Sequence, residues 1–184
     1  MKRQFQMVKQ GSGLLLKAPL RAQGDVVESL VTQQRGKGTM ADTRVQIEAE
    51  DWVRREWMRQ YFGQPFSRER LRLSSGGVFD FDAVSEDTTI AATISTSGAR
   101  TASGKNAVGK MLKIRSDMYF LLLAEAQRKF VVLTERDMFD QCLKEKEGGR
   151  VAAGIEFVLA EIPSDLRARL ATARGAASRE SRPR

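Results

Sequence analysis

Residues 70–96 read RLRLSSGGVFDFDAVSEDTTIAATIST, and this stretch decides the fold class. Arg70 to Leu73 and Val78 to Val84 alternate in polarity, and Thr89 to Thr96 is rich in β-branched residues, so each has the signature of a strand. Gly76-Gly77 and Glu86-Asp87 stand at the two joints, where turn residues are needed. An antiparallel meander of three strands is therefore expected. Alternate residues of a strand share a face. That places Phe79, Phe81 and Ala83 on one side of the second strand and Asp80 and Asp82 on the other.

Working outward, the segment before the meander reads as a helix. Asp42 or Thr43 can cap it, and Ala49, Trp52, Val53, Trp57 and Tyr61 recur at helical spacing, up to Gly63 and Pro65. After the meander comes a small-residue loop, Ser97 to Gly104, and then an amphipathic stretch from Lys105 to about Gln127. Val108, Leu112, Met118, Leu121 and Leu122 are its expected inward face. Lys129 to Thr134 reads as a buried strand, Glu135 to Glu147 as a helix stopped by Gly148-Gly149, and Gly154 to Ile162 as a further strand. Ser164 caps a last helix that runs to about Ser178. The sum is an α/β domain, a mixed sheet flanked by helices in the order α-β-β-β-α-β-α-β-α.

The expected organisation is one domain over 40–178, an extension over 1–39 and a basic tail over 179–184. Residues 1–39 show no structural period and are rich in Gln, Gly and Lys. Two readings of them stay open: a disordered arm, or a segment upstream of a natural start at Met40.

Composition excludes several chemistries. The chain has no histidine and a single cysteine, Cys142, so His-based nucleophile systems, zinc clusters and internal disulfides are ruled out. No apolar run approaches the ~20 residues of a membrane-spanning helix, and a lone cysteine suits a reducing compartment, so a cytoplasmic protein is expected. The net charge of +8 is concentrated at the ends, because 1–39 and 166–184 carry +5 each while 40–165 carries −2. The body is nearly neutral, and the overall charge by itself says little about a nucleic-acid partner.

Asp80 and Asp82 are the first candidate site. Two carboxylates on one face of a strand must be solvated, paired or metal-bound, and pairing with Arg70 and Arg72 across the hairpin is the plain structural alternative. The order α-β-β-β-α-β over about 44–134, with an aspartate on the second strand, resembles the core of the PD-(D/E)XK superfamily, the restriction-endonuclease-like nucleases. The resemblance implies that Asp82, beside Asp80, would help bind Mg2+ together with an acid on the next strand. A lysine two residues further would position the attacking water. In this chain those two positions hold Thr93 and Ser95. The resemblance therefore implies a catalytically degenerate nuclease-like domain, unless Glu48, Glu50 or Glu56, or a lysine past the third strand, takes over.

The second candidate is the acid-free stretch from Thr88 to Ser116, which supplies Arg100, Lys105, Lys110 and Lys113 as expected phosphate contacts. Gly104 to Lys110 also matches GxxxxGK, but Met111 stands where a metal-binding Ser or Thr belongs and the preceding strand ends too early. The arginine-rich end, Arg167 to Arg184, has three readings: a contact for nucleic acid, a contact for an acidic partner, or a solvated helix end. The expectation is thus a nuclease-like module that binds nucleic-acid backbone. The alternatives are a protein-interaction or scaffold domain, with a protein partner or a second copy, and an active Mg2+-dependent nuclease with relocated residues.

Overall fold

The computed structural model describes residues 40–101 and 104–180. The extension over 1–39 lies outside the described residues, as does 181–184 of the expected tail, whereas residues 179 and 180 close the last helix. The first helix, α1, runs from Met40–Trp52 through a π-helical turn, Val53–Trp57, into Met58–Phe62. Strands β1 (Phe66–Arg72), β2 (Val78–Ser85) and β3 (Ile90–Ser95) follow, then α2 (Val108–Leu123), β4 (Arg128–Leu133), α3 (Arg136–Glu147), β5 (Ile155–Leu159) and α4 (Ser164–Glu180).

The five strands form one sheet in the order β1-β2-β3-β4-β5. The meander is antiparallel, while β3, β4 and β5 are mutually parallel. Parallel neighbours need crossover connections, here α2 and α3. One core packs Val53 and Met58 of α1 and Leu166 and Leu170 of α4 onto Ala92, Ile94, Phe130 and Val132 of the sheet. The opposite face packs Ile114, Met118 and Leu121 of α2 and Met138 and Cys142 of α3 onto Phe81, Ala91, Val131 and Leu133. The result is a three-layer α/β/α arrangement with a mixed central sheet. Among the described residues no helix is long and apolar enough to cross a membrane.

Three side-chain placements differ from the sequence expectation, and each has a local cause. The π-turn inserts one extra residue per turn into α1, so the buried series is Ala49, Val53, Met58 instead of reaching Tyr61, while Trp57 is partly buried against the same core. Trp57 and Tyr61 stack on each other at 4.7 Å, and Tyr61 is exposed. In β2, the partners step from Ser67↔Val84 to Glu69↔Phe81, so β2 carries one residue more than β1 between these pairs. This bulge shifts the alternation. Phe81 and Val84 share one core and Ala83 enters the other, where Phe81 and Ala83 were expected together. In α2, Met118 and Leu121 point inward with Ile114, but Val108, Leu112 and Leu122 are exposed. The helix carries two apolar faces, and only one can meet the sheet.

Charge also ties the α2–α3 layer together. The buried Glu145 of α3 accepts hydrogen bonds from Arg115 of α2 at 2.7 Å and from Arg150 at 3.0 Å. Those two guanidiniums, Arg150 first, hold its carboxyl down from the usual 4.5 to about 2. Cys142, one turn earlier, is buried, and burial pushes its thiol up to about 11. A depressed carboxyl contributes stability above its unfolded value and loses it as pH falls through the folded one. Urea denaturation should therefore show a stability loss between pH 4.5 and about 2 that is markedly smaller in Glu145→Gln; equal acid sensitivity of both proteins would contradict this.

Candidate functional site

The meander opens into a fork at Asp82. Strands β2 and β3 are in register at Val84↔Ala91 and Ala83↔Ala92, and the ladder stops there. Backbone groups left unpaired inside a protein must find other partners, and at the fork two side chains supply them. The Asp82 carboxylate accepts the N–H of Ile94 at 2.9 Å. The Asp82 carbonyl accepts Nε of Arg54, whose Nη1 bonds Asp51. Arg54 belongs to the π-turn of α1 and is 8% exposed. The π-turn and the bulge thus meet at the same point, one aiming a guanidinium and the other re-aiming a carboxylate.

Ile94 lies between Thr93 and Ser95, so the fork brings Asp82 beside the two positions that the nuclease resemblance singles out. Thr93 is buried, and its hydroxyl has no hydrogen-bond partner. Asp80 is elsewhere. It sits exposed and receives Nε and Nη2 of Arg70 at 2.8 and 2.9 Å, a two-pronged cross-strand pair. The two aspartates expected to act together therefore have separate roles. Of the first-helix acids, Glu48 pairs with Arg169 of α4, which holds its carboxyl below the usual range. It is Asp51, reached through Arg54, that connects to the fork.

These donors do not fit a magnesium site of the expected kind. The ion takes oxygen ligands in near-octahedral geometry, commonly with carboxylates to offset its charge. The fork offers the Asp82 carboxylate, which already accepts an amide, and the Arg54 guanidinium, whose own partner is the Asp51 carboxylate. Among the described residues no three carboxylate, thiol or imidazole groups cluster in a way that could hold a metal.

Among the described residues, the basic stretch divides into groups without a carboxylate partner, although Arg100 donates to the carbonyl of Gly104 at 3.1 Å, and groups held more closely. Arg100 and Lys105 are exposed on a hairpin-like loop closed by the bridge Arg100↔Asn106. Thr101 N–H bonds Lys105 O, Gly104 N–H bonds Thr101 O, and Ala107 N–H bonds Ala99 O. Gly104 and Ala107 thus spend their amides inside the loop, and β3 ends at Ser95, nine residues before Gly104, so no strand leads straight into the GxxxxGK segment as a phosphate-cradling loop requires. The loop is anchored at Ala99, whose N–H reaches Asp137 of α3 at 3.0 Å. Lys113 is held by the largely buried Asp117 at 2.6 Å, and Lys110 is half-buried on the same helix and also has an interaction partner. Arg100 and Lys105 are the better placed of the four to meet a ligand.

Two arginines of α4 have structural partners. Arg174 turns inward to Thr96 O and Glu135, and Arg169 takes Glu48. Arg167 lines a depression of about 350 Å³ with Thr134, Glu135, Arg136, Leu159, Ala160 and Glu161, at the C-terminal ends of β4 and β5. Arg54 and Asp51 are the fork residues that sequence reasoning missed. A buried arginine has no sequence signature apart from its place in an apolar period, and the π-turn disrupts that period.

No protein-family model, curated protein or solved structure matches the chain.

Removing the Asp82 carboxylate leaves the buried Ile94 N–H without its partner. Asp82→Ala should therefore cost about 1–3 kcal/mol of stability, and Asp80→Ala, which breaks an exposed pair, only about 0–1 kcal/mol. Urea melts of the two variants check this; equal losses would mean the fork bond is not structural.

Proposed function

We propose that this chain is a nuclease-like domain of the restriction-endonuclease type that has lost its catalytic set and binds the phosphate backbone of nucleic acid in the cytoplasm. The observation that carries the reading is the fork. A helix precedes a meander whose third strand runs parallel to the fourth across a helical crossover, and an aspartate sits where the second and third strands part. In such a nuclease the acid and the lysine would come from Thr93 and Ser95. Neither side chain can neutralise a metal or a developing phosphorane charge.

Backbone binding rests on the adjoining loop. Arg100 and Lys105 are exposed on a segment that α3 anchors, and lysine and arginine are the main neutralisers of phosphate charge. A second reading, a protein-interaction domain without a nucleic-acid role, draws on the outward apolar face of α2.

The deciding experiment titrates labelled single- and double-stranded DNA and RNA with the full chain, at several salt concentrations with Mg2+ or Mn2+ present. Binding without cleavage is expected. Its logarithmic salt slope should fall by about 2 for duplex DNA in the Arg100→Ala/Lys105→Ala double variant, roughly one for each phosphate-neutralising cation removed. Cleavage abolished by Asp82→Ala would establish an active centre with relocated groups and overturn the degenerate reading. Neither binding nor cleavage would leave the interaction domain.

A further inference from the structure

Helix α2 shows solvent a second apolar face. Val108, Leu112, Tyr119 and Leu122 are 64, 55, 58 and 40% exposed, and they are four of the seven large apolar side chains exposed among the described residues. The other three lie elsewhere, Ile47 and Tyr61 on α1 and Val78 on β2. Steps of four, seven and three along a helix keep the α2 residues on one side, opposite the buried Ile114 and Leu121. The stripe is about 21 Å long at the helical rise per residue. Single exposed apolar residues are ordinary, but a contiguous row marks a contact surface.

The stripe is nearly symmetric about Arg115. Val108 and Leu122 each lie seven residues from it, Leu112 three before and Tyr119 four after. We propose that the stripe joins two copies of this chain, with their α2 helices packed antiparallel about a two-fold axis at Arg115. In that register Val108 meets Leu122 of the second copy, and Leu112 meets Tyr119. A two-fold interface uses the same patch twice and so must be self-complementary, as this stripe is.

Charge selects the antiparallel direction. The first turn of α2 has no acidic residue to offset its N-terminal pole, whereas at the C-terminal end the Lys129 ammonium donates to the carbonyl of Leu122 at 3.2 Å. Exposed Glu125 lies just beyond the C-terminal end. Antiparallel packing brings the Glu125 of each copy to the N-terminal pole of the other helix and sets opposite poles side by side, whereas parallel packing aligns like poles. Arg115 at the axis is already engaged by its own Glu145, which moderates repulsion between the two guanidiniums. The proposal does not depend on the nucleic-acid reading.

Sedimentation velocity of the full chain tests it. A dimer is expected in the micromolar range, converted to monomer by Leu112→Glu and by Tyr119→Glu with far-UV circular dichroism unchanged. The exposed control Val78→Glu should stay dimeric. Cysteine cross-linking reads the register without placing a charge in the apolar row. Under oxidised glutathione Arg115→Cys should give a disulfide-linked dimer and Val108→Cys should not, and buried Cys142 will not compete. A monomer at high micromolar concentration, including one whose stripe is taken by a different protein, overturns the proposal. So does a dimer that survives both folded glutamate variants, or Val108→Cys cross-linking as readily as Arg115→Cys. If the glutamate variants fail to fold, the two cysteine variants decide.

Discussion

Two side-chain-to-backbone hydrogen bonds at Asp82 hold the sheet open while pairing the Asp82 carbonyl and the Ile94 amide. Arg54 takes the Asp82 carbonyl and the Asp82 carboxylate takes the Ile94 amide. An antiparallel pair that simply ended here would bury orphaned donors and acceptors, at a cost comparable to several ordinary mutations. With those bonds made, β2 can lean toward β1 while β3 continues beside β4, and the mixed sheet has a stable branch point. The π-turn in α1 belongs to the same constraint. Without the extra residue Arg54 would not be carried to the fork, and Met58 would not fill the core beneath it.

Much of this was legible in the amino-acid sequence, and the failures share one cause. Strand and helix positions follow from unbroken periods of two and 3.6, and the meander, the crossovers and the last helix were readable that way. A bulge or a π-turn adds one residue to a period and rotates every side chain after it. Both insertions occur at the fork, one on either side of the contact between Arg54 and Asp82, so the pattern misled most where the geometry matters most. Tyr61 was expected in the core, and Ala83 was expected on the face of Phe81, for this reason alone. The second apolar face of α2 was hidden differently. Val108, Leu112 and Leu122 satisfy a helical period as well as Ile114 and Leu121 do, and sequence does not say which face meets the sheet.

Charge counting was the weaker guide. Six arginines from Arg167 onward give that end of the chain its excess positive charge, yet two of them, Arg169 and Arg174, are spent on Glu48, on Glu135 and on the carbonyl of Thr96. These contacts fasten α4 to α1 and to the ends of β3 and β4. In the acid-free stretch Lys113 is likewise committed to Asp117, which begins one residue after that stretch ends. Formal charge measures what a segment carries, and the share left for a ligand depends on neighbours brought in by the fold. Within that stretch, the loop of Arg100 and Lys105 keeps both its charge and its exposure.

The two margins of the sheet have their own consequence. Edge strands offer unpaired amides and carbonyls to any passing chain, and charged side chains or short length are the usual protection. Strand β1 is FSRERLR, with Arg68, Glu69, Arg70 and Arg72 along it, and β5 is only five residues long, with Glu156 answering Arg128. Recruiting a further strand at either margin would press like charges together or gain very few hydrogen bonds. The molecule is thereby shielded from end-to-end β-polymerisation, and a destabilised variant should clump through its exposed interior and not by templated fibre growth from the native sheet.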